Sequence, residues 1–164
     1  MEKADAEATL RAALEAAGAP TPSTVSLTLA DDAELAELNE VHMGKSGPTD
    51  VLSFPLLPVS AYPVHAGQDP GAREPGEAQA FALPPDEPVH LGDIVISVER
   101  AVAQAQEGRG GQTGDRQWSP RDELRLLITH GALHLCGWDH ADPAEEAAMR
   151  ALESRLLEIG VSET

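Results

Sequence analysis

Three of the chain's six histidines fall within eleven residues, at spacings that could hold a metal ion. His130 and His134 are four residues apart, so on a helix their imidazoles project from one face. Gly137 is the kind of residue that ends a helix in a left-handed turn, and such a turn would bring His140 back toward the same point. Three imidazoles around a tetrahedral zinc leave the fourth position open, which distinguishes a catalytic zinc from a structural one. We therefore predict one Zn²⁺ per chain, held by His130, His134 and His140.

The same spacing occurs in the metzincin zinc proteases, but this chain lacks a residue that those enzymes need. Metzincins carry a glutamate directly after the first histidine, where it acts as the general base. Here that position is Gly131, which has no side chain to accept a proton. The sequence therefore keeps the metal ligands and disfavours a metallopeptidase. An alternative without a metal stays open: two helix histidines that hydrogen-bond within the core, and a third on a loop.

Three blocks of sequence, in a fixed order, carry a resemblance to a known family. The last block is His130-Gly131-x-Leu133-His134-Leu135-x-Gly137-x-Asp139-His140. The first is Leu38-Asn39 followed by Pro48-Thr49-Asp50-Val51-Leu52-Ser53-Phe54-Pro55, and the second is Leu91-Gly92-Asp93-Ile94-Val95-Ile96-Ser97. Together they resemble the signature of the YbeY family of rRNA-maturation endoribonucleases, from roughly residue 25 to 159.

The resemblance implies a cytoplasmic, metal-dependent hydrolase. In such an enzyme the three histidines would hold a zinc that activates a water molecule to hydrolyse an RNA phosphodiester. The implied role is rRNA maturation, with 3′ end processing of small-subunit rRNA, and ribosome quality control. The implied partners are rRNA and the ribosome or its assembly proteins, rather than DNA or a membrane. The general base stays unassigned.

One departure from the family pattern concerns its arginine. The family carries an arginine between the Leu-Asn pair and the following strand, and counting from Leu38 without a gap puts that position at Met43. An arginine could bind the phosphate or stabilise charge in the transition state, and methionine can do neither. Lys45 is a tentative catalytic substitute, with a solvated loop lysine as the alternative. The departure favours a rival function, a ribosome-assembly factor that acts mainly by binding and has weak or no nuclease activity.

Four polar residues could hold the metal ligands in place or line a cleft. Metal-bound histidines usually donate their second nitrogen to a carboxylate or carbonyl, so Asp139 could hold the ring of His140, or could simply shape the turn. Asn39, Ser53 and Asp93 could line the cleft, or could bond to nearby backbone groups.

The remaining histidines and the cysteine are predicted to lie outside the metal site. Cys136 is off the helix face that His130 and His134 share, which favours a buried apolar position over metal binding. His42, His65 and His90 are scattered along the sequence, and each is predicted to be structural or exposed.

The net charge of the chain is unfavourable for RNA binding. The net charge is −17, from 28 acidic and 11 basic side chains, whereas affinity for phosphates comes largely from Lys and Arg. A locally basic cleft, or delivery to RNA by a protein partner, would reconcile the two. The single cysteine suits a reducing cytosol. The N-terminus lacks the plan of a signal peptide, and no stretch approaches the roughly 20 apolar residues of a membrane span.

The periodic segments predict one α+β domain over residues 1–164. Helices are expected over 2–17, 31–42, 97–108, 119–136 and from 142 onward, and strands over 24–29, 51–54 and 89–98. The last of these strands is the most continuously apolar and therefore central. We predict a mixed β-sheet of about four strands, with parallel and antiparallel pairs, layered with about five helices.

A proline-rich segment interrupts this pattern. Eight of the chain's thirteen prolines lie from Pro55 to Pro88, together with three glycines. Residues 59–88 are therefore predicted to be a long connection or a flexible insertion rather than a packed element.

Overall fold

The computed structural model describes residues 3–44, 49–57, 62–63, 87–107, 119–138 and 143–162. This part of the chain contains five helices, as predicted, and three strands rather than about four. In chain order the elements are α1 (Lys3–Ala16), β1 (Ser23–Ala30), α2 (Asp32–Met43), β2 (Val51–Pro55), β3 (Val89–Ser97), α3 (Val98–Glu107), α4 (Pro120–Leu135) and α5 (Pro143–Ser162). None of the described helices is long and apolar enough to cross a membrane.

The sheet has the order β1-β3-β2, so the most apolar strand is central, as the sequence predicted. β3 pairs with β1 in parallel and with β2 in antiparallel orientation. Leu91, Ile94 and Ile96 of β3 are fully buried. A central strand is covered on both faces and paired on both edges, which is why its residues are apolar almost without a break.

The two faces of the sheet have different neighbours. Val51 pairs with Ile96 and Ser53 with Ile94, and Val51, Ser53 and Ile94 all lie against Gly131 of α4. Side chains alternate along a strand, so Phe54 and its partner Asp93 belong to the opposite face. There the ring of Phe54 meets His42 of α2, with 5.2 Å between ring centroids. The sheet therefore lies between α4 and α2.

α2 and α4 begin where the sequence predicts, and a capping residue marks each start. The Ser119 side chain accepts from the Asp122 backbone N–H, and the Asp122 carboxylate accepts from the Ser119 backbone N–H, which forms a capping box with Pro120 at the first position. Asp31 caps α2 by accepting from the Glu34 backbone N–H at 2.9 Å. These local bonds satisfy backbone groups that a helix start leaves without partners.

The core consists of two clusters of buried side chains, and the segment from α4 to Trp138 contributes to both. The first joins α4 to α1, α3 and β3; the second joins Leu133, Cys136 and Trp138 to α5 and Tyr62. Tyr62 is only 2% exposed, although it lies in the proline-rich segment predicted to be unpacked. Pro63 also packs closely, because a Cβ at Gly18 would come within 2.6 Å of its Cγ. The prediction for residues 59–88 is therefore wrong at Tyr62 and Pro63.

Candidate metal centre

α4 brings two of the three predicted metal ligands together. His130 and His134 lie one turn apart near its C-terminal end, and their Nε2 atoms are 3.0 Å from each other. The ring planes are steeply inclined, with 78° between them. The helix ends at Leu135, and Gly137 follows with φ of 89°, which confirms the predicted left-handed turn. His140 and Asp139 lie outside the described residues, so their roles stay predictions.

A carboxylate that the sequence analysis missed holds the first of these rings. Glu153 of α5 lies with its Oε1 2.7 Å from the Nδ1 of His130. Glu153 is 9% exposed and stands four residues after the buried Met149, on a face of α5 that is otherwise apolar. A glutamate within an apolar stripe was the signal that could have identified it, because carboxylates are rarely buried unless they are paired.

Gly131 lies on the side of α4 that faces the sheet. This is not the side from which a side chain could reach a metal ion. A Cβ at Gly131 would come within 2.9 Å of Ile94 Cγ2 and 3.3 Å of both Ser53 Oγ and Val51 Cγ2. A glutamate at this position, as in the metzincins, would point into β2 and β3. The absence of a peptidase base therefore has a packing reason as well as a chemical one.

Ser53 bonds to the backbone of the helix that carries the two histidines. Its Oγ donates to the carbonyl oxygen of Gly131 at 3.1 Å. The bond satisfies a backbone group and joins β2 to α4 one residue away from His130. A place for Ser53 in the cleft stays a prediction.

Asp93 and Asn39 lie on other elements than the histidine pair. Asp93 belongs to the sheet face opposite α4, and its carboxylate bonds to His90 Nε2 at 2.9 Å. The other ring nitrogen of His90 lies 2.9 Å from Thr24 Oγ1. Asn39 is buried in α2, which contacts β2, β3 and α3. That Asp93 and Asn39 line the cleft stays a prediction.

The position predicted for the family arginine lies at the end of α2. Met43 is the last residue of that helix, and Gly44 follows with φ of 65° and caps it in the left-handed conformation. The side chain of Met43 and all of Lys45 lie outside the described residues. Their predicted roles stay predictions.

Cys136 occupies the buried apolar position that was favoured for it. It is 1% exposed and packs with Tyr62, Leu133 and Trp138. Burial raises the pKa of its thiol to about 12, while a hydrogen bond with Tyr62 acts in the opposite direction. Its position among these side chains makes Cys136 part of the core packing.

Within the described residues, no group of three or more His, Cys, Asp or Glu side chains could hold a metal ion. These residues supply two converging imidazole nitrogens and one buried carboxylate behind them. Fold and site together define a class: an α+β protein with a histidine pair of metal-ligand type on its core helix. The third ligand predicted from the sequence belongs to the segment after Gly137.

Comparison with known proteins assigns this class to a family. The family model described as Endoribonuclease YbeY matches residues 2–159. A relative from Symbiobacterium thermophilum named Endoribonuclease YbeY is 44% identical over 147 residues, which are 88% of this chain and 78% of the relative. A relative of the same name from Salinispora tropica is 42% identical over 152 residues, which are 92% of this chain and 82% of the relative.

A solved structure shares the fold. The solution structure of TM1509 from Thermotoga maritima matches with a TM-score of 0.54 and 22% identity, over 98% of this chain and 79% of that one. The chain belongs to the endoribonuclease YbeY family, which confirms the family predicted from the three sequence blocks.

Proposed function

We propose that this protein is a metal-dependent endoribonuclease that acts in rRNA maturation and ribosome quality control. The observation that carries the proposal is the convergence of His130 Nε2 and His134 Nε2, at 3.0 Å, in a chain of the YbeY family. The proposed site of action is the cytoplasm, and the proposed partners are rRNA and ribosomal or assembly proteins.

The two described ligands fit a zinc ion. Nitrogens bound at roughly 2.0–2.1 Å to one tetrahedral zinc lie about 3.3–3.4 Å apart, and the observed separation of 3.0 Å is a few tenths of an ångström shorter. The same distance also fits a hydrogen bond between the two rings, which is the alternative without a metal. His140, predicted to follow the turn at Gly137, would complete the ligand set.

Each residue of the site would have a separate role in RNA hydrolysis. A zinc ion bound there would lower the pKa of a bound water and would polarise a phosphoryl oxygen. His130 and His134 would hold the ion, and α4 would keep both rings in register, because it packs against the sheet through Gly131. Lys45 is the proposed weaker substitute for the family arginine, as a point charge for the phosphate.

Two observations favour a second candidate function. Met43 stands at the position of the family arginine, and the net charge is −17. Both weaken binding of a polyanion and stabilisation of a phosphorane-like transition state. The rival is a ribosome-assembly factor that acts mainly by binding, brought to RNA by a protein partner.

The test is incubation of the pure, zinc-loaded protein with an rRNA precursor, with cleavage followed on a denaturing gel. His134→Ala should abolish cleavage. His90→Ala is the matched control, since it also removes an imidazole but bonds to Asp93 on the opposite sheet face, and it should cleave as the wild type does. Binding to ribosomal particles without cleavage, by wild type and His134→Ala alike, would favour the assembly factor.

A further inference from the structure

Glu153 is a charged residue on a face otherwise used for packing. α5 turns Met149, Leu152 and Leu157 into the core, and Glu153 lies among them at 9% exposure. Burial of a carboxylate away from water destabilises a protein by roughly several kcal/mol, unless a partner compensates for the lost hydration. Within the described part of the chain, this carboxylate pairs with His130 of α4.

The bond between the two residues determines which nitrogen of His130 carries a proton. The Oε1 to Nδ1 distance of 2.7 Å is that of a charge-assisted hydrogen bond. An ionised carboxylate only accepts, so Nδ1 must donate. In a neutral imidazole this leaves the lone pair on Nε2, the atom that lies 3.0 Å from Nε2 of His134.

We infer that Glu153 is a positioning residue for the metal centre: it fixes the ring orientation and tautomer of His130 so that Nε2 can bind the ion. The inference rests on the proposed function. Ligand histidines usually donate their other N–H to a carboxylate or carbonyl, which raises their basicity, and loss of that partner weakens metal binding by about 10–100-fold. The negative charge of Glu153 also offsets part of the charge of a dication held by neutral imidazoles.

A purely structural role makes a different prediction for the same pair. If the bond between Glu153 and His130 only held α4 to α5, its loss would lower the free energy of unfolding but leave the Zn²⁺ affinity of the folded protein unchanged. The Zn²⁺ affinity of the folded Glu153 variants therefore distinguishes positioning from simple helix pairing.

The experiment measures the dissociation constant for Zn²⁺ alone, by competition with a chromophoric chelator. The proteins are the wild type, Glu153→Gln, Glu153→Ala, Glu146→Gln and His134→Ala. Glu146→Gln is the matched control: it removes the same charge from the same helix about two turns away, at a half-exposed residue paired with Arg150. Glu153→Gln keeps the shape of the buried side chain and guards against a folding defect in Glu153→Ala. Nitrogen-15 spectra of the histidine rings are recorded on each metal-free protein.

We expect Zn²⁺ binding about tenfold weaker in Glu153→Gln and up to about 100-fold weaker in Glu153→Ala, with Glu146→Gln equal to wild type. The metal-free wild type should show His130 as the Nδ1–H tautomer, and Glu153→Ala should show a mixture.

Two results would overturn the inference while the proposed metal site stands. They are wild-type Zn²⁺ affinity in both folded Glu153 variants alongside loss of zinc in His134→Ala, or the same His130 tautomer in wild type and in Glu153→Ala. Failure of the wild type itself to bind zinc would overturn the proposed metal function and this inference together.

Discussion

Substitution of Gly131 tests the packing that positions the histidine pair. An alanine there would place its Cβ 2.9 Å from Ile94 Cγ2 and 3.3 Å from Ser53 Oγ and Val51 Cγ2, where carbon atoms prefer about 3.5–4.0 Å. α4 cannot retreat without stretching the 3.1 Å bond from Ser53 Oγ to the Gly131 carbonyl. The neighbours and the helix must therefore both shift.

Two opposing effects determine the size of the change. Alanine stabilises a helix interior relative to glycine by about 0.8–1 kcal/mol. Overpacking of a close-packed contact costs about 1–3 kcal/mol. We therefore expect Gly131→Ala to lower the free energy of unfolding by about 0–2 kcal/mol, which for a chain of this size is a fall in Tm of up to about 8 °C. Gly131→Glu, with a longer side chain that enters the sheet, should fail to fold.

Urea unfolding of the metal-free protein measures these changes. Gly44→Ala is the control: no atom lies within 4 Å of its added Cβ, but φ is 65°, so it should cost about 1–2 kcal/mol from backbone strain alone. If Gly131→Ala were more stable than wild type by about 1 kcal/mol, helix propensity would be acting unopposed, and the close approach of α4 to β2 and β3 would be refuted.

Three further changes have defined outcomes. Met43→Arg should raise the rate of RNA hydrolysis by at least about tenfold, since one charge-stabilising group contributes about 10²–10³ in kcat; the gain should vanish on addition of His130→Ala, and equal rates would mean that arginine has no role at this position. Cys136 should resist a thiol reagent at pH 8 in the native state and react in denaturant, because it is 1% exposed with a pKa raised to about 12; prompt reaction of the native protein would contradict its burial. Because folding raises the pKa of this thiol, the native state favours its protonated form. The resulting contribution to the free energy of unfolding is present below the unfolded pKa of about 8.5 and is lost as the pH rises toward 12. Replacement of residues 64–86 by about ten residues should change Tm little, whereas Tyr62→Ala should lower the free energy of unfolding by about 3–5 kcal/mol; a large fall in Tm from the replacement alone would show that this segment packs.

The sequence predicted well those features that depend on residues close together in the chain. The pair His130 and His134 follows from the helical repeat, and the start of α4 follows from Ser119 and Asp122, three residues apart. The continuous apolar pattern of residues 89–98 likewise predicted the central strand of the sheet. In each case the physical cause lies within one or two turns of a helix or one strand.

Features that depend on contacts between distant segments were not predicted. Glu153 contacts His130, which lies 23 residues earlier in the sequence. Tyr62 packs in the same cluster as Cys136, although the whole of β3 lies between them in the sequence. The helical repeat places Glu153 on a packing face but does not say which helix that face meets. For the same reason the pattern of β3 did not reveal that Asp93 faces away from α4.

The most direct test of the central claim is elemental analysis of protein purified without exposure to a chelator. The claim is that His130, His134 and His140 together hold one metal ion. About one zinc-like ion per chain is predicted for the wild type and for the His90→Ala control, and little or none for His134→Ala. A folded wild-type protein that carries no metal and takes up none from added Zn²⁺ would contradict the claim.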